Sequence, residues 1–185
     1  MWYNTGMDAL RAWLVLIYKI PTEPARKRTY IWRKLKKLGA IYLQQAAALL
    51  PDTTELRAEV EDLAERIREY EGEVTVLQSR STSPGWEQDV IGRFNRQRDE
   101  EYAEVAEVAL RLIAELDRES RKGKFIFAEL EENEEGLESL RRWLDQVTAR
   151  DFFSAPGRQA AEETLGQAST QLQAFARQVH EQEER

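Results

Sequence analysis

Trp13 to Ile20, WLVLIYKI, is a run of branched and aromatic residues closed by Pro21, the pattern of a buried strand. Past it the period changes. Between Pro24 and Gly39 the residues Ile31, Leu35 and Leu38 fall on one side of a helix, while Arg26, Arg33 and Lys37 fall on the opposite side. Pro24 suits a first helical turn, where its missing N–H costs nothing, and Gly39 suits the left-handed residue just past the end. AIYLQQAAALLP, Ala40 to Pro51, is too short and too evenly apolar for a second amphipathic helix, and it splits near Gln44 and Gln45 into two short strands of a hairpin. Asp52 to Thr54 offer helix caps, and Leu56, Val60, Leu63 and Ile67 recur at helical spacing until Gly72. EVTVLQSR, Glu73 to Arg80, then alternates as a strand. The order strand, helix, strand, strand, helix, strand predicts a ferredoxin-like α+β domain over residues 1–82.

After the loop STSPGW, Ser81 to Trp86, the pattern is helical to the end, so residues 83–185 are expected to form a long acidic helical extension and the chain to be mostly helical. Tyr102, Val105, Ala109, Leu112 and Leu116 make one apolar seam. Leu130, Leu137, Leu140, Leu144 and Val147 make a second, and Ala161, Leu165, Ala168, Leu172, Phe175 and Val179 a third. KFIF, Lys124 to Phe127, has strand-like residues, but AELEE follows at once and favours a helix start packed on its aromatics. ARDFFSAPGR, Ala149 to Arg158, separates the last two helices, with Pro156 and Gly157 enforcing the break. The third seam, long and close to the C-terminal residue, favours a homodimer through the helices.

Charge is distributed unevenly. The whole chain carries 27 Lys and Arg against 34 Asp and Glu, a formal net charge of −7, yet its first 50 residues hold nine basic side chains and only Asp8 and Glu23. The basic block PARKRTYIWRKLKKLG, residues 24 to 39, is therefore the candidate for a polyanionic partner. Arg26, Lys27, Arg33, Lys34, Lys36 and Lys37 are the expected nucleic-acid-binding residues, with Tyr30 and Trp32 interleaved where they would touch sugars or bases. The alternative is a helical protein-interaction scaffold, whose basic helix only solvates its face or meets acidic protein surfaces.

Other chemistry is thinly represented. The absence of cysteine excludes disulfides, thiolate metal sites and Cys nucleophiles, and the single His180 cannot build a His cluster. The carboxylates of ELEENEEGLE, Glu129 to Glu138, lie opposite Leu130 and Leu137 and read as a solvated face, so no metal or cofactor is expected. Ser and Thr nucleophiles lack a histidine partner and no glycine-rich phosphate loop occurs, which argues against an enzyme. The longest apolar run, Ala12 to Tyr18, is too short to span a bilayer, and Lys19, Pro21 and Pro24 stand where a signal peptide would need its cleavage site. A cytoplasmic protein without membrane partners is expected.

Three stretches resemble one family: WLVLIYKIPTEPARKRTYIWRKLKKLGAIYLQQAAALLPD, FNRQRDEEYAE (Phe94 to Glu104) and FAELEENEEGLESLRRWLDQVTARDFF (Phe127 to Phe153). Together they are similar to the N-terminal region of the ChrB family of chromate-resistance proteins, chromate-responsive transcriptional regulators. The strand-to-basic-helix opening also resembles, more weakly, the central domain of PaaX-type repressors and the Cas2 nuclease fold. The likeness to ChrB implies DNA binding and chromate as an effector; full-length members continue into a C-terminal domain not expected within these residues. A tetrahedral dianion asks for Arg donors and free N–H groups, and Arg150, Ser154, Gly157 and Arg158 at the start of the last helix are the expected oxyanion-binding residues. The Cas2-like nuclease needs an acidic residue at the end of its first strand, where this chain has Tyr18, Lys19 and Ile20.

Overall fold

The computed structural model of the chain describes residues 11–183 apart from 82 and 124. It resolves into two compact units, 1–94 and 95–185.

The first unit holds β1 (Ala12–Lys19), α1 (Ala25–Lys37), β2 (Ile41–Gln44), β3 (Ala47–Pro51), α2 (Thr54–Glu69) and β4 (Glu73–Arg80). The strands form one antiparallel sheet in the order β2-β3-β1-β4. The register places Leu14 and Leu16 on one face, where Leu14 and Val76 meet Val60 of α2. α1 lies beside α2. On the opposite face Trp13 is fully buried by the first turns of α3 (Pro84–Lys122): it stacks on Phe94 at 5.9 Å and meets Trp86 edge-on at 6.1 Å. The α3 helix starts three residues earlier than the loop Ser81–Trp86 predicts, because Ser83 accepts from Trp86 N–H and Pro84 occupies a first-turn position.

Local chemistry explains the joints. Thr53 caps α2 by accepting from Leu56 N–H at 3.2 Å. α1 stops at Leu38, and Gly39 takes φ 82°. The turn into β4 needs Gly72, since a Cβ there would stand 2.7 Å from the Lys19 carbonyl oxygen.

The second unit consists of the remainder of α3 with α4 (Phe127–Thr148) and α5 (Arg158–Glu183). Its core unites the three apolar seams: Tyr102, Val105, Ala109 and Leu116 from α3, Leu130 to Val147 from α4, Ala161 to Val179 from α5. The third seam is thus buried within the unit, with Phe175 1% and Leu172 5% exposed, and Phe125 ahead of α4 packs against Phe175 at 5.6 Å. The strand-like KFIF becomes the approach to a helix that begins at Phe127; its Lys124 lies outside the described residues.

The architecture is α+β and mostly helical, with five helices and one four-stranded antiparallel sheet among the described residues. No helix among them is long and apolar enough to cross a membrane.

Candidate nucleic-acid interface

On α1 only Ile31 and Leu35 are buried, and the charged residues divide into three rows. Arg26, Arg33 and Lys37 lie within about 40° of one another at 100° per residue, and all three are exposed. A second row, Arg28, Trp32 and Lys36, recurs every fourth residue on one flank, with Trp32 49% exposed. The third row faces α2. There Lys27 Nζ stands 5.4 Å from the centre of the Tyr70 ring, Tyr30 meets Tyr70 edge-on at 6.2 Å, and Lys34 Nζ lies 5.8 Å from the Tyr30 ring. No arginine or lysine of α1 forms an ion pair among the described residues.

The surroundings are asymmetric. Between α1 and α2 runs an open groove of about 310 Å³, lined on one side by Tyr30 and Lys34 and on the other by Glu59, Asp62, Glu65, Glu69 and Arg66, the last two paired at 2.6 Å. A phosphate approaching from that side meets four carboxylates. From the outer row or the Trp32 flank it meets α1's own cations. The six residues expected to bind nucleic acid therefore fall into two environments: Arg26, Arg33, Lys36 and Lys37 away from the groove, Lys27 and Lys34 on aromatic rings beside it.

The expected oxyanion residues sit together in one loop but have other partners. Gly157 N–H donates to Asp99 at 2.7 Å, and Ala155 N–H donates to Asp151 at 3.0 Å. Arg158 pairs with Glu162 one turn along α5 at 2.7 Å, and Arg150 pairs with Glu101 of α3 at 3.0 Å. Ser154 is exposed and takes φ 57°, so the loop is a tight turn capped by carboxylates. The space at Gly157 is filled as well, since a Cβ there would stand 2.9 Å from Asp99 Oδ1.

Beside this loop lies a residue that pattern reading passes over. Arg98 is 2% exposed, its Nε is 3.1 Å from Glu101, and its two terminal nitrogens make no hydrogen bond. Burial pulls its pKa below the ordinary arginine value, an effect that Glu101 opposes and Arg150 reinforces. One carboxylate thus serves two guanidiniums. The available signal was spacing: Val90, Phe94, Arg98 and Tyr102 recur every fourth residue on one face of α3, and all four are buried.

Residues 28–185 match the family described as Protein ChrB, N-terminal, and the chain belongs to that family. Arg26 and Lys27 precede the matched stretch, and the other α1 candidates lie within it. Protein ChrB of Cupriavidus metallidurans is 31% identical over 159 residues, covering 79% of this chain and 48% of the relative. The chain spans about half the length of the curated relative it matches. No solved structure matches it.

Proposed function

We propose that this chain is the regulatory N-terminal part of a ChrB-like chromate-resistance protein, and that it controls transcription of a chromate efflux operon by contacting DNA through α1. Family membership supplies the setting. The contact rests on one observation: Arg26, Arg33 and Lys37 form an exposed row that no carboxylate neutralises among the described residues. A straight row of cations on a helix meets phosphates along a duplex and releases their counterions on binding. The acidic wall of α2 repels phosphate on one side, so the duplex lies over the outer row and the flank of Arg28, Trp32 and Lys36. In this reading the first unit is a ferredoxin-like fold, with β1 central between β3 and β4 and α1 lying beside α2.

Chromate belongs to the same reading as the effector. An oxyanion entering the 154–158 loop exchanges with Asp99 at Gly157 N–H and with Asp151 at Ala155 N–H, and draws on Arg150 and Arg158. The test is a gel-shift titration against the duplex upstream of the chain's own operon, with and without chromate. A retarded complex that chromate dissolves and chloride at equal ionic strength does not is the expected result. A folded chain that retards no DNA at low salt contradicts the reading and favours the scaffold. A complex indifferent to chromate removes the effector from this chain.

A further inference from the structure

The two edges of the sheet differ in kind. β2 is short, four residues with a register shift between Tyr42 and Gln44, and Arg93 donates to its Tyr42 carbonyl. Shortness, irregularity and a side-chain cap are the devices by which proteins keep an edge from pairing. β4 has none of them. It runs eight residues in unbroken register with β1, contains no proline or lysine, and has β1 as its one strand neighbour among the described residues. It also adjoins exposed apolar surface: Leu77 is 47% and Ile17 of β1 44% exposed, on the face of the sheet away from α2, with Val15 between them in register.

We propose that β4 pairs with β4 of a second copy of this chain, antiparallel about a twofold axis at Leu77, to give a continuous sheet of twice the strands. The charges at the two ends of the strand make it complementary to an antiparallel copy of itself. Glu73 opens β4 and Arg80 closes it, so antiparallel copies bring the acidic end of each to the basic end of the other, with the two side chains on opposite faces of the sheet, whereas parallel copies in the same register set like charges at the same end. A twofold axis normal to the sheet relates residues of the same face. Leu77 then meets the partner's Leu77, and Thr75 lies opposite the partner's Ser79. The exposed strip of Ile17, Val15 and Leu77 continues into the same strip of the second copy and loses its water. The same axis keeps α1 and α2 of both copies on one side of the joined sheet.

Sedimentation equilibrium and cross-linking test this without DNA, so that failure here and failure of the DNA reading are separable. The chain is expected at twice its 21.6 kDa, and Leu77→Lys is expected to return it to a monomer with unchanged circular dichroism, because the side chain is half-exposed and a lysine pair at the axis repels. The chain has no cysteine, so Leu77→Cys supplies a single thiol. Mild oxidation is expected to link that variant efficiently as a dimer and to link Arg68→Cys, on the outside of α2, poorly. A monomer at all accessible concentrations overturns the proposal. So does a dimer that persists in Leu77→Lys, or one in which the two cysteines cross-link equally.

Discussion

Arg98 occupies a position that charge patterning assigns to solvent, since six of the eleven residues of FNRQRDEEYAE are charged. The fold buries it through its spacing from Phe94 and Tyr102, and leaves it Glu101 as its ion-pair partner. Because Arg150 shares that carboxylate, Glu101→Gln strips two guanidiniums of their counter-charge at once. Urea unfolding of Glu101→Gln is expected to show a loss of about 3–5 kcal/mol, the range for breaking a buried pair on one side. Arg158→Ala, which removes an exposed pair one turn apart, is expected to leave the unfolding midpoint unchanged. A second residue sets an acid limit. Asp52 accepts from Arg57 at Nε and, at 2.8 Å, from its Nη2, and these bonds hold its pKa below the ordinary aspartate value of 3.8 against the opposing effect of burial, with Gln78 adding to them. A depressed carboxylate stabilises the fold above its unfolded pKa and loses that contribution as pH falls through the lower folded value. The stability difference between the chain and Asp52→Asn is therefore expected to be full at neutral pH and to vanish in acid below 3.8, as melting temperatures across pH would record. A difference that grew on acidification would contradict the assignment.

Elements whose burial is one-sided were legible in the sequence. Leu56, Val60, Leu63 and Ile67 gave α2 its buried face, and the hairpin split at Gln44 and Gln45 because twelve flatly apolar residues after Gly39 have no polar side to offer as a helix. The seam of α5 was legible for the same reason, but periodicity says only that a face is covered. Here it is covered by α3 and α4 within the chain, and so it is not free for the helix-mediated dimer that its length suggested. Leu172→Ala is expected to cost about 2–5 kcal/mol by calorimetry or denaturant, with no change of mass; dissociation without unfolding would return the seam to an interface. The beginning of α3 was obscured because Ser, Pro and Gly in STSPGW read as loop, although Ser83 followed by Pro84 is also a helix-start signal. The 154–158 loop was legible as a break but not as a capped turn. Asp99, which takes the Gly157 N–H, is far away in sequence, and no local pattern announces it.

At the scale of the molecule, a chain of net charge −7 gathers seven lysines and arginines on one helix, none of them ion-paired among the described residues, and sets carboxylates along one side of it. The proposed contact with a polyanion takes its direction from that asymmetry, since phosphate would be drawn to the side of α1 away from the carboxylates. A twofold pairing through β4 would present that surface twice on one side. The claim on which the account depends is that α1 neutralises phosphates, and counterion release reports this directly. The measurement is the slope of log affinity against log salt for the upstream duplex, compared between the chain and its Arg26→Ala, Arg33→Ala, Lys37→Ala triple variant. The variant is expected to bind more weakly, with unchanged circular dichroism and a slope flatter by about 0.9 for each phosphate contact removed. Equal slopes and equal affinities in the two proteins would contradict that claim.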